Sequence, residues 1–284
     1  MKTKYINLVV SAAVLLAGAL ACNLPFAATQ TSVPTPVSTS GAGAPTSASV
    51  APNGIAVSFS GTSFSIPDEL GDSATPENVA SMDNEPVPSW EIAPAFVQFT
   101  LVNYPVQGSL LKPMIYVYPA AKYAGDNTGA AESIRRLRAL ISGPGKDFKL
   151  QTVPFVPAFN ATQTFIARAM PLKFKNGAGI RMLTQYDQAP IPANNHELIY
   201  HFEGLTNDGA YYVIAVLPVN AITLPADGNP ASAVPAGGIP FNQDDPAAYF
   251  QAVSQNLNDA APDSLTPKLN LLDALVQSIK ISAP

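Results

Sequence analysis

Residues 179–218 read GIRMLTQYDQAPIPANNHELIYHFEGLTNDGAYYVIAVLP. Three runs inside this stretch, Ile180 to Tyr186, Leu198 to Glu203 and Tyr211 to Leu217, are rich in β-branched and aromatic residues. Such side chains pack well on a pleated surface, so each run predicts a strand. The last two are separated by Thr206-Asn207-Asp208-Gly209, whose Asn, Asp and Gly accept the positive φ angles of a tight turn. The stretch is expected to be an antiparallel meander in the middle of a folded domain.

Working outward, further strands are expected at Phe96 to Leu101, Pro113 to Tyr118 and Phe165 to Phe174, where apolar and polar residues alternate. Ile55 to Pro67 alternates in the same way around Gly61 and reads as an opening hairpin, whereas residues 71–93 read as a polar, Pro-containing loop. Ala130, Ile134, Leu137 and Ile141 form one stripe on a helix over 129–142, with Thr128 as its cap and Gly143-Pro144 as its stop. Arg135, Arg136 and Arg138 then fall on a solvated face that suits the negative end of the helix dipole. Asp244 or Asp245 with Pro246 opens a second helix, with Phe250, Val253 and Leu257 inward. Thr266-Pro267 precedes a third, with Leu269, Leu272 and Val276, and Ser278 to Ile281 can form only a short edge strand. Strands joined by short turns, with helices segregated from them, predict an α+β fold in which helices flank an antiparallel sheet.

The ending LNLLDALVQSIKIS, at 269–282, is similar to the terminal helix-then-strand of PsbP-like and Mog1-like domains, which also open on an apolar hairpin. That resemblance covers about a tenth of the chain. It implies an α/β/α sandwich around a bent sheet and a non-catalytic binding or assembly role.

Composition narrows the function classes. The chain has 284 residues and a formal charge of −5; without Lys2 and Lys4, the only charges among residues 1–21, the balance is −7. No basic stripe exists to neutralise phosphates, which argues against a nucleic-acid partner. The single cysteine, Cys22, permits neither an internal disulfide nor a cysteine-based zinc cluster. It follows a positive n-region and an apolar run from Ile6 to Leu20, too short to span a bilayer.

Ala19-Leu20-Ala21-Cys22 resembles the lipobox of bacterial lipoproteins, although Ala19 and Leu20 are not its commonest choices. The resemblance implies removal of residues 1–21 and attachment of a diacylglyceryl group to Cys22, with anchoring to the outer face of the cytoplasmic membrane or another envelope membrane. Residues 27–53 are uncharged and almost entirely Ala, Ser, Thr, Pro, Val and Gly, so 22–53 are expected to be a lipidated start and a disordered tether. Residues 54–284 are expected to be one α+β domain. The meander together with Ala-Cys-Asn-Leu-Pro at 21–25 also looks like lipoproteins of Chloroflexota-type filamentous green bacteria, a likeness that brings no activity with it.

Candidate chemistry is sparse. His196-Glu197 followed by His201 misses the zincin spacing by one residue. On a helix the i, i+5 offset separates the two imidazoles by about 140°, and on a strand it puts them on opposite faces. Glu197, His201 and Glu203 share one strand face, which the alternation predicts to be solvent-facing, with Leu198, Tyr200 and Phe202 toward the core. They remain candidate binding residues, or an acid–base or metal cluster if a neighbouring strand adds a ligand. Tyr186 and Tyr212 are the tyrosines placed to meet a ligand or a partner, with core packing as their other role. The chain has no Gly-x-Ser-x-Gly elbow, Walker loop, dinucleotide fingerprint or calcium loop, and no cofactor is implied.

The expectation is therefore a tethered, non-enzymatic binding or assembly module. Its alternatives are a surface hydrolase or metal-dependent enzyme using the Glu197/His201/Glu203 face, and a small-ligand carrier using the tyrosines and the 187–197 and 224–243 loops. A deep pocket lined by that face favours the enzyme; an open face, or simple pairing with Arg181, favours the binding module.

Overall fold

The computed structural model describes residues 54–82, 87–143 and 148–282. The expected signal segment, Cys22 and the expected tether lie outside the described residues. In chain order the strands are β1 (Gly54–Phe59), β2 (Thr62–Pro67), β3 (Ser73–Val79), β4 (Phe96–Val102), β5 (Met114–Pro119), β6 (Thr162–Gln163), β7 (Ala167–Phe174), β8 (Gly177–Thr184), β9 (Tyr186–Asp187), β10 (Ile199–Thr206), β11 (Tyr211–Pro218), β12 (Asn220–Ala221), β13 (Leu265–Thr266) and β14 (Lys280–Ile281). The helices are α1 (Ala120–Asp126), α2 (Thr128–Ser142), α3 (Pro246–Asp259) and α4 (Leu269–Ser278).

The meander forms the interior of a seven-stranded sheet in the order β3-β4-β5-β11-β10-β8-β7, and every pairing in it is antiparallel. Its turn holds Gly209 at φ +69°, with Gly209 N–H donating to the Thr206 carbonyl at 2.8 Å. Because side chains alternate, each interior strand feeds two cores. Phe99, Ile115, Val213, Tyr200 and Phe202 pack with Val253 of α3 and Leu272 and Val276 of α4. Ile180, Met182, Ile199, Tyr212 and Ile214 pack with Ile134 and Leu137 of α2. Helices thus cover both faces of an antiparallel sheet, and the fold is α+β. The opening hairpin β1–β2 accepts β14 as a third strand and closes over the first core through Phe64 and Ile66.

Several local expectations are corrected. Residues 71–93 are not all loop, because Ser73–Val79 pairs with β4 as an edge strand. Its polar sequence and Pro76 hid it, and an edge tolerates both. Asn127, rather than Thr128, caps α2, accepting from Ala130 N–H at 2.9 Å. Ile141 is 38% exposed, while Leu140 and Ser133 turn inward. A bulge between Ala167 and Met170, with Arg168 at φ +54°, breaks the alternation expected in β7. Arg168 there donates to the Leu257 carbonyl at 2.8 Å, satisfying the C-terminal turn of α3. Among the described residues no helix is long and apolar enough to cross a membrane.

Candidate functional site

The solvent-facing reading of the His201 face is overturned. His201 and Glu203 lie on β10 beneath α2 and have no exposed surface. Two helices on one side and two on the other leave this sheet without a wet face, which a single strand's alternation cannot reveal. Glu197 is not on the strand; it belongs to the turn after Asn194, where Leu198 N–H donates to the Asn194 carbonyl at 2.9 Å.

Under α2 the polar groups satisfy one another. Ser133 Oγ donates to Glu203 Oε2 at 2.7 Å and accepts from Phe155 N–H at 2.9 Å. The Tyr212 hydroxyl donates to the same carboxylate oxygen. His201 Nε2 lies 2.8 Å from Glu203 Oε1, and its Nδ1 lies 3.4 Å from the Tyr186 hydroxyl. Tyr186 accepts from Val156 N–H at 3.1 Å, so its own proton is free for His201 Nδ1. That pattern leaves the imidazole N–H on Nε2, donating to Glu203. Burial first, and the Glu203 charge second, hold the Tyr186 and Tyr212 phenols well above their ordinary range. With three donors on one carboxylate, the cluster is a closed structural network, and His201 and Glu203 have no route to a substrate.

Of this set only Tyr186 reaches the surface, where it joins Glu197 in a cleft of about 570 Å³. Trp90, Leu110, Leu111, Phe159 and Ile191 supply apolar walls, and Asp187 and Glu197 supply the charge. Each wall is tied down. Asn127 Nδ2 donates to the carbonyls of Ser89 (3.1 Å) and Ile92 (2.9 Å), fixing the Trp90 loop to the start of α2. Leu110 N–H donates to the His196 carbonyl at 2.8 Å, joining the opposite wall to the Glu197 turn. Phe159 meets Tyr186 edge-on at 5.1 Å. The pairing of β9 with β6 sets Asp187 opposite Thr162.

Two buried carboxamides position the acids. Gln185 Nε2 donates to Asp187 Oδ2 at 2.9 Å, and Asn194 Nδ2 donates to Glu197 Oε2 at 3.0 Å. Asn194 N–H donates to Gln185 Oε1 at 2.9 Å, so the two supports are themselves linked. Burial lifts the Asp187 carboxyl from 3.8 to about 7; the Gln185 hydrogen bond opposes the shift, while the charge of Glu197 and a hydrogen bond with it add to the rise. Near neutral pH the Asp187 carboxyl can therefore keep its proton.

Arg181 takes no part on either count. It points to the opposite face, with Nε 3.2 Å from Asp273 Oδ1 of α4, and Tyr200 donates to the same oxygen at 2.8 Å. Among the described residues no group of three or more His, Cys, Asp or Glu could hold a metal.

The sequence-predicted residues thus divide. His201, Glu203 and Tyr212 are internal, Glu197 lines the cleft, and Tyr186 touches both. Asp187, Trp90 and Ser133 were missed. Asp187 is next to Tyr186 in sequence, and the only trace of its role is two acids flanking a Pro-rich loop. Compared with protein-family models, with curated proteins and with solved structures, the chain has no match.

Proposed function

We propose that this chain is a lipid-anchored, extracytoplasmic binding protein of the bacterial cell envelope, holding a small ligand in the Trp90–Tyr186 cleft. Anchoring is supported by the n-region, the apolar run and Cys22, which together imply a diacylglyceryl attachment to a cell-envelope membrane. Two acyl chains give stable attachment where one is marginal.

The observation that carries the binding role is the cleft itself, apolar-walled, with a few convergent polar groups and a perturbed carboxyl. The enzyme reading loses support because the His201–Glu203 pair is sealed and fully hydrogen-bonded.

Trp90 is the chain's sole tryptophan, so its emission reports on the cleft. A ligand screen read by that emission should yield binders in the full-length protein that Ala161→Phe, on the cleft wall, excludes. Binders indifferent to Ala161→Phe would place the ligand elsewhere and overturn the reading.

A further inference from the structure

The cleft has two unlike parts. Trp90, Phe159 and Tyr186 present aromatic surface, and the adjoining shelf of Asn160, Ala161, Thr162 and Gln188 is polar. Gln188 Nε2 braces the shelf by donating to the Asn160 carbonyl at 3.1 Å. At the base stand Asp187, only 6% exposed, and the half-buried Glu197. Among the described residues no Lys or Arg lines either part, and neither acid has a cationic partner. The groups that neutralise carboxylates elsewhere in this protein, Arg135 and Arg136 on Glu132 and Arg181 on Asp273, have no counterpart here.

Two acids without a counter-ion, one buried and one half-buried, are costly when both are charged. Two carboxamides hold these acids at the end of an aromatic-walled cleft, where a cation would find both ion pairing and ring faces. We propose, resting on the binding reading above, that the cleft takes a monovalent organic cation, its charged head against Asp187 and Glu197 and its apolar body against Trp90, Phe159 and Tyr186.

A metal ion fits less well, since most of the lining is apolar and the nearby amide donors already point at the acids. The ionisable groups around Asp187 are Glu197 from the turn and Tyr249 from α3, neither of which supplies positive charge. With no cation bound, Asp187 relieves the repulsion by keeping its proton, and an organic cation would displace it.

The test titrates the full-length detergent-solubilised protein with three isosteric probes, benzylammonium, benzyl alcohol and benzoate, reading Trp90 emission at pH 8. Benzylammonium should bind about ten-fold tighter than the alcohol, and benzoate should not bind. Asp187→Asn/Glu197→Gln should bring the ammonium-to-alcohol ratio close to one; Glu197→Gln alone serves if the double variant does not fold. At pH 6 benzylammonium should bind more weakly than at pH 8, and calorimetry in buffers of different ionisation enthalpy should detect proton release.

Equal affinity for ammonium and alcohol would overturn the cation assignment while leaving a ligand cleft in place. So would calcium chloride alone displacing the ammonium at micromolar concentration. If no probe changes Trp90 emission and Ala161→Phe alters nothing, the cleft reading falls and this inference with it.

Discussion

Ser133 Oγ, on α2, donates a 2.7 Å hydrogen bond to Glu203 Oε2, on β10, and both residues are completely buried. This contact turns a charged residue that looks surface-facing in sequence into the pin that registers a helix on the sheet. Removing one partner leaves the others unmet. Ser133→Ala strips one donor from the carboxylate and leaves Phe155 N–H without its acceptor, so it should cost about 1–3 kcal/mol. Glu203→Ala takes the shared carboxylate acceptor from Ser133, His201 and Tyr212 together and should cost about 3–5 kcal/mol. Urea melts read both, and two variants as stable as the parent would show that the network does not hold α2.

Adjacent residues on β10 test the two faces. Phe202 is fully buried against the α4 core, so Phe202→Ala should cost about 3–5 kcal/mol. On the solvent-facing side that the alternation predicts for it, His201→Ala would cost far less than Phe202→Ala. Instead it leaves Glu203 Oε1 buried without its donor, and about 1–3 kcal/mol is expected. A His201→Ala variant with an unchanged melt would restore the exposed-face reading.

What the sequence made legible follows from where its signals are local. The meander, the opening hairpin and the terminal helix rest on turn residues and on periods of two or 3.6, and they were read close to their observed bounds. That α2, itself read as a helix, covers the second face together with the short α1, Ala120–Asp126, was not legible, because no local signal says which face of the sheet such a layer covers. Without that layer the Ile199–His201–Glu203 face looked wet. The cleft depends on loops around Trp90, Leu110 and Phe159 that meet only in three dimensions. No spacing announces such a meeting. Glu197 and Tyr186 were singled out for an exposed strand face and tyrosine chemistry, and they line the cleft for other reasons.

Gly209 sits at φ +69° with open space where a Cβ would point, so backbone strain alone decides a substitution there. Gly209→Val should cost about 1–2 kcal/mol, since a β-branched residue resists the left-handed region. Gly209→Asn should recover much of that loss, because Asn tolerates this conformation. Equal melts for the Val and Asn variants would point to a turn that relaxes to negative φ.

The anchor can be tested apart from the fold. Cys22→Ser removes the only thiol in the chain and with it the proposed lipid attachment. Fractionated cells should then show either released protein or an unprocessed precursor with residues 1–21 retained. A processed form of the variant that still needs detergent for extraction would exclude attachment through Cys22.

Asp187 gives stability a pH dependence of defined sign. Burial, with Glu197 beside it, raises its carboxyl to about 7 in the folded chain, whereas an unfolded Asp titrates near 3.9. Between roughly pH 4 and 7 the folded state therefore holds a proton that the unfolded state has released, and stability falls as pH rises through that window. Below it both states are protonated and the proton's contribution is fully present; above it both are ionised and the loss is complete. Asp273, raised chiefly by burial, slopes the same way, and Glu132, lowered by Arg135 and Arg136, slopes the opposite way. The informative quantity is thus the difference between the parent and Asp187→Asn, in which those contributions cancel. Asn cannot ionise, so the variant should gain in melting temperature relative to the parent as pH is raised from 4.5 to 8. Most of that gain should appear before pH 7.5. A difference that stays constant across this range would mean that Asp187 ionises as freely in the folded chain as in the unfolded one.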